Sequence, residues 1–248
     1  MHQYQENSSV NFQGLQPSTQ GFDLSLGKPK QIQGTFRKCE LPVPSCLQHA
    51  TGIQIFGRTI KTFVFSCDPY IIRNTDADAV LALAPFTCQP AITRALIQLS
   101  ERPVFCGVAG SITSGKRSVD LAHEVEMQGA QGIVASVRAD TSTISQIAHQ
   151  VDIPLIVSIC QMNLLEKERI EAGASIVNVA AGKQTPEVVR CVRHHFPNLP
   201  IIATCGKDPQ SALATIHAGA DATSWTPPSL VEIEKAVMNQ NRICTKTA

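Results

Sequence analysis

Pro200-Ile-Ile-Ala-Thr-Cys-Gly-Lys-Asp-Pro209 runs into Gln210-Ser-Ala-Leu-Ala-Thr-Ile-His-Ala-Gly-Ala220 and on into Asp221-Ala-Thr-Ser-Trp-Thr226. The first apolar run, Pro200 to Thr204, is short and β-branched, which suits a strand buried on both faces. A tight loop follows, then a helical stretch from Pro209 to Ala218, opened by a proline suited to the first helical turn. Gly219 stands where a helix commonly ends in a left-handed residue, and Asp221 to Thr226 reads as the next strand. Strand, loop, helix, glycine and strand in this order form the crossover unit that parallel strands require.

The same unit recurs towards the amino terminus. Apolar runs fall at Lys61 to Ser66, Ala79 to Ala84, Pro103 to Val108, Gly132 to Ser136, Pro154 to Ile159 and Ser175 to Val179, which with the two above makes eight. Helical stretches read at Gln89 to Ser100, Lys116 to Gly129, Thr141 to Gln150, Asn163 to Ala172, Pro186 to Phe196 and Ser229 to Asn241. Gly129 and Gly173 repeat the device of Gly219. Only the first crossover, Cys67 to Asp78, is too short for a full helix. Strands spaced about 20 to 25 residues apart suit closure into a (β/α)8 TIM barrel over residues 57–248 better than an open doubly wound sheet. Residues 1–38 are polar and without sustained periodicity, so they read as a flexible extension that lacks the apolar surface to offset its ordering entropy. Residues 39–56 form a linker and one arm of a hairpin turning at Gly57 and Arg58.

Composition narrows the function. Lys and Arg number 21 against 20 Asp and Glu, a net charge of +1, so no global basic field draws nucleic acid or a membrane surface. No apolar run approaches the roughly 20 residues of a membrane span, and the polar start lacks the regions of a signal peptide. The expected location is the cytoplasm. Nine cysteines, an odd number without a CxxC pair, are expected as free thiols. Fully buried strands also suit a subunit of a homo-oligomer.

Chemistry in such a barrel belongs at the carboxyl ends of the strands. Ile201-Ile-Ala-Thr-Cys-Gly-Lys-Asp, its helix, and Ala218-Gly-Ala-Asp-Ala resemble the seventh and eighth units of the phosphate-binding (β/α)8 barrels that handle phosphorylated sugars and related metabolites. The family has a glycine pair where this chain has Cys205-Gly206, and Thr226-Pro-Pro-Ser229 stands at its small-residue helix start. The resemblance implies a phosphate site at Gly206, Lys207 and Ser229, where backbone N–H groups and a helix start meet the anion. Ser229 also serves as a plain helix cap. Gly110-Ser-Ile-Thr-Ser-Gly-Lys-Arg117 resembles a nucleotide phosphate loop up to its last position, where Arg117 replaces the hydroxyl that meets Mg²⁺. Lys116 and Arg117 remain candidates for holding an anionic group, against two solvated charges on a Gly-Ser loop.

Asp68, after the first barrel strand, is the candidate acid or base, against a turn carboxylate before Pro69. Asn178, polar among apolar neighbours, is the candidate to orient a hydroxyl or carbonyl, against an internal hydrogen bond. Cys67 or Cys205 is a conceivable nucleophile, against a small apolar residue in a tight core. His194 and His195 read as helix-end caps. Short chelating pairs are absent, so neither metal nor cofactor is expected. The first expectation is therefore an enzyme, of isomerase, lyase or hydrolase type, acting on a small phosphorylated metabolite at the carboxyl-end mouth. A second is a barrel that binds a phosphorylated effector without turning it over, in the manner of glycerol-phosphate-responsive antiterminator barrels. A third is a self-assembling scaffold that uses the N-terminal extension.

Overall fold

The computed structural model describes residues 41–109, 112–205 and 209–244, the last five by backbone alone. A two-stranded antiparallel hairpin, β1 (Ile53–Ile55) and β2 (Arg58–Ile60), precedes the barrel. Its turn uses Phe56 at φ 46° and Gly57 at φ 77°, the left-handed pair that a two-residue hairpin turn needs.

Eight parallel strands then close on themselves: β3 (Thr62–Phe65), β4 (Ala79–Ala82), β5 (Val104–Ala109), β6 (Gly132–Ala135), β7 (Leu155–Ile159), β8 (Ile176–Val179), β9 (Ile201–Thr204) and β10 (Ala222–Trp225). Closure is made by β10 pairing β3, with Thr223 opposite Thr62. The helices between them are α1 (Pro69–Asn74), α2 (Pro90–Leu99), α3 (Gly115–Met127), α4 (Thr141–Gln150), α5 (Leu164–Glu171), α6 (Thr185–His195) and α7 (Pro209–His217), with α8 (Leu230–Cys244) after the last strand. This is a (β/α)8 barrel. The short first crossover holds a six-residue helix. Gly129, Gly173 and Gly219 adopt φ of 99°, 141° and 109°, so each of these helix-to-strand joints is built on the backbone freedom of glycine.

Alternation along the strands divides the core in two. Outward residues such as Val64, Val80, Cys106, Ile133, Val157 and Val177 pack under the helices. Inward residues Phe63, Leu81, Phe105, Val134, Ile156, Ile176 and Ile202 fill the barrel, joined by Ile53, Ile55 and Ile60 of the hairpin. Because β2 ends at Ile60 and β3 begins at Thr62, the hairpin stoppers the amino end of the barrel. Phe63 and Phe105 meet edge to face with centroids 5.2 Å apart. Gly132 makes room for them, since a Cβ there would lie 2.3 Å from a Phe105 ring carbon.

The acidic residues of the amino-end face are structural. Asp78 Oδ2 accepts from the Lys61 and Thr62 amides at 2.9 and 3.0 Å and from the Thr62 hydroxyl at 3.0 Å. Asp221 Oδ2 accepts from Arg193 at 2.6 Å and from the Ile201 amide at 2.8 Å. Carboxylates satisfied by backbone donors and a guanidinium hold strand starts in register, and they leave the opposite end of the barrel for a ligand.

Candidate functional site

The last inward position of each strand forms a layer at the carboxyl-end mouth. Continuing the alternation past Phe105, Val134, Ile156, Ile176, Ile202 and Ala222 brings Gly107, Ser136, Ser158, Asn178, Thr204 and Ser224 to this layer, with Phe65 and Leu83 from β3 and the end of β4. The layer is two-sided: apolar or bare over β3 to β5, and hydroxyl and amide over β6 to β10. Asn178 Nδ2 donates to Ser158 Oγ at 3.2 Å, and the Thr204 and Ser224 hydroxyls are 3.0 Å apart. Asn178 is only 5% exposed, and its Oδ1 has no hydrogen-bond partner. A buried carbonyl oxygen left unpaired costs about 1–3 kcal/mol. Such groups gather where a ligand supplies the missing partner.

A small open cleft of about 60 Å³ sits on the bare side of this layer, lined by Leu83, Phe86, Gly107, Thr113, Val134 and Ser136 among others. A neighbouring cleft of about 70 Å³ runs over Cys67, Cys88 and Thr93 towards α2. Burial pushes the Cys67 thiol above its ordinary value, with the charge of Cys88 adding to it. Burial raises Cys88 as well; its hydrogen bond to Thr93 opposes the rise and the charge of Glu124 adds to it. Cys106 lies outside the barrel wall, and burial drives its thiol up still further. Cys205 is pushed up to about 12, again chiefly by burial. These thiols are poor nucleophiles at neutral pH, because the thiolate is the reactive form. Among the described residues, no three His, Cys, Asp or Glu side chains gather as a metal site.

The described residues among those singled out in the sequence do not gather at one point. Asp68 caps α1: its Oδ1 accepts from the Tyr70 and Ile71 amides at 2.8 and 3.3 Å, and its own amide donates to Ser66 Oγ at 3.0 Å. Asn178 is three strands away from it round the barrel, β8 being separated from β3 by β9 and β10. Ser229 is held by Glu232 in a capping box: its amide and hydroxyl donate to Glu232 Oε2 at 2.7 and 2.8 Å, and its hydroxyl accepts from the Glu232 amide at 3.3 Å. That carboxylate occupies the helix start. Lys116 Nζ donates to both Asp120 oxygens at 2.8 and 2.9 Å on the exposed face of α3, and Arg117 beside it is exposed. The first amide of α3, Gly115 N, donates to Thr143 Oγ1 at 2.9 Å. Gly206 and Lys207 lie outside the described residues. His195 Nδ1 lies 2.8 Å from the Cys191 carbonyl one turn back, in a helix-end role.

Arg169 and Glu166 went unnoticed in the sequence. Both are buried on α5 and pair with each other. The Arg169 guanidinium also donates to the carbonyls of Ala139, Ser158 and Ser136 at 2.8, 3.3 and 2.7 Å. It thereby fixes the ends of β6 and β7, from which Ser136 and Ser158 project. A helix reading Leu-Leu-Glu-Lys-Glu-Arg carries no signal of this, because it looks solvated.

No helix among the described residues is long and apolar enough to cross a membrane. No family model matches the chain, and no curated protein matches it. Solved structures do. The glycerol uptake operon antiterminator regulatory protein of Listeria monocytogenes superposes with a TM-score of 0.56 at 16% identity, over 72% of this chain and 97% of its own. Phosphonopyruvate hydrolase, solved with oxalate and Mg²⁺, gives 0.55 at 12% identity over 76% and 82%. Orotidine 5'-monophosphate decarboxylase of Metallosphaera sedula gives 0.51 at 12% over 68% and 88%. At such identities the likeness is one of fold: this chain has the (β/α)8 architecture that enzymes and a regulatory protein share.

Proposed function

We propose that this barrel binds a small phosphorylated metabolite at its carboxyl-end mouth and does not turn it over, acting as an effector-binding rather than a catalytic unit. One observation carries the reading. The inward layer of the mouth offers Ser136, Ser158, Asn178, Thr204 and Ser224 and, among the described residues, no carboxylate, imidazole or amine. Hydroxyls and a carboxamide recognise the oxygens of a metabolite, but general acid–base catalysis requires a group that titrates within reach of the reacting atoms. Asp68, the candidate acid or base of the sequence, caps α1 with its carboxylate.

In this reading Asn178 and its hydroxyl neighbours hold the carbon skeleton, and the loop after β9, with Gly206 and Lys207, takes the phosphate. The fold does not choose between enzyme and binder, since enzymes and a regulatory protein both occur among the similar structures; the chemistry of the layer favours the binder. The test is a thermal-shift series with inorganic phosphate, glycerol 3-phosphate and triose phosphates beside their unphosphorylated counterparts. A ligand present at about 100 times its Kd stabilises by about 2.7 kcal/mol. In a domain of this size, that moves Tm by roughly 5 to 10 °C. The phosphorylated member of a pair should shift Tm, Gly206→Trp should abolish the shift, and NMR of the mixture should show the ligand unchanged after hours. Equal shifts from the unphosphorylated compounds, or conversion of the ligand, would sink the proposal.

A further inference from the structure

The cleft beside β5 is not explained by the phosphate and the polar half of the mouth. Three observations converge there. Gly107 occupies an inward position, and a Cβ on it would lie 2.9 Å from Leu83 Cδ2, so the missing side chain opens the cleft. Just beyond it the pairing of β5 with β6 slips: Gly107 lies opposite Val134, and Ala109 lies opposite Ala135. This irregularity at Val108 re-aims the strand end, as bulges beside ligand sites do. Thr113, after the strand, lines the same cleft; it is only 3% exposed and its Oγ1 has no hydrogen-bond partner. Leu83, Phe86 and Val134 supply carbon walls, and Ser136 adds a second hydroxyl. Phe86, at 73% exposure, stands at the opening.

We infer that this cleft is a specificity subsite for the end of the ligand remote from its phosphate, and that it takes a short branched aliphatic group bearing one neutral oxygen. The inference rests on the proposed function and names the ligand class for it. Carbon walls select an alkyl group, and the unpaired Thr113 hydroxyl selects an oxygen. Among the described residues no charged side chain lines the cleft, which suits a neutral oxygen. A polyhydroxylated sugar end fits poorly, because hydroxyls turned to Leu83 and Val134 lose their partners in water and gain none. One methylene placed in such a pocket typically changes affinity by about tenfold or more.

Titration calorimetry on the full chain compares glycerol 3-phosphate, 3-methylbutyl phosphate and 3-hydroxy-3-methylbutyl phosphate. The hydroxylated branched ester should bind at least about tenfold tighter than glycerol 3-phosphate. Gly107→Ala should cut that preference about fivefold or more, with Leu83 turning aside to accept the methyl group. Thr113→Val should make the two branched esters equivalent. A preference for glycerol 3-phosphate, or a preference untouched by both substitutions, overturns the inference while leaving phosphate binding standing. The phosphate-free fragment 2-methyl-2-butanol is titrated separately by NMR. Amide shifts centred on Thr113, Val134 and Ser136 with all phosphate esters silent would keep the subsite and sink the proposed function. No shifts there would overturn the subsite.

Discussion

Arg169 Nη2 donates to the Ser136 carbonyl at 2.7 Å, a bond that joins the last turn of α5 to the carboxyl end of β6. With Nε on Ala139 and Nη1 on Ser158 and Glu166, the guanidinium is held on all three nitrogens inside the protein. Breaking a buried pair leaves a charge and several carbonyls uncompensated, which costs about 3–5 kcal/mol. Arg169→Met should therefore lower the melting temperature by on the order of 10 °C. Substituting Glu166→Leu together with Arg169→Met should lose less than the sum of the two single changes, since neither charge is then stranded. A loss below about 1 kcal/mol for Arg169→Met in urea denaturation would show that the mouth does not depend on this staple.

What the chain discloses and what it hides divide along the same line. The strands could be read because parallel strands covered on both faces are nearly all apolar, and the joints could be read because Gly129, Gly173 and Gly219 need positive φ. The mouth was only partly legible. Ser158, Asn178, Thr204 and Ser224 each interrupt an apolar run near its end, at an inward position of the two-residue period, and of these only Asn178 stood out beforehand. The others look like ordinary strand residues until the barrel closes. Arg169 had no local signal at all, because the carbonyls it meets come from residues 11 to 33 positions away.

Asp140 gives a pH dependence of definite sign. It caps α4 by accepting from the Thr143 amide at 2.8 Å and from the Thr143 hydroxyl at 2.8 Å. These bonds hold its carboxyl below the usual carboxylate range. The folded carboxyl thus binds its proton less readily than the unfolded one. The contribution to stability is complete above the unfolded value, about 4, and drains away as the pH falls through the lower folded value. Replacing a cap residue by Ala costs typically about 1 kcal/mol. Urea titrations should find Asp140→Ala less stable than the parent by about that amount at pH 7, with the gap narrowing below pH 4. A gap that stays constant down to pH 2.5 would rule out the titrating cap. Thr143 Oγ1 also accepts from Gly115 N, so Asp140→Ala should loosen the start of α3 as well, seen as faster hydrogen exchange at Gly115.

The cysteines should sort by burial. Cys160 and Cys191 are exposed, whereas Cys106 is buried and Cys67, Cys88 and Cys205 are partly covered. At about 12 against an ordinary 9.0, Cys205 carries roughly a thousandfold less thiolate at pH 8 than an unperturbed thiol. Iodoacetamide labelling at pH 8, followed by peptide mass spectrometry, should modify Cys160 and Cys191 ahead of the covered thiols. Cys67, Cys88, Cys106 and Cys205 should lag by more than about tenfold. Rapid labelling of Cys67 or Cys205 would restore the nucleophile that the mouth otherwise lacks, and with it the catalytic alternative.

Asn178 separates stability from function most sharply. Its Nδ2 reaches Ser158, but its Oδ1 is buried without a partner, so the folded protein gains little from the carboxamide. Asn178→Leu keeps nearly the same shape, removes the orphan acceptor and gives up one neutral hydrogen bond of about 1 kcal/mol. Its stability should stay within about 1 kcal/mol of the parent, or rise. A residue retained for binding behaves differently when ligand is present: the thermal shift given by the phosphorylated metabolite should shrink by the equivalent of tenfold or more in affinity, about 1.4 kcal/mol. Loss of stability by several kcal/mol without ligand would instead make Asn178 a structural pillar of β8, and the unpaired oxygen would then report a feature of the core rather than a place prepared for a ligand.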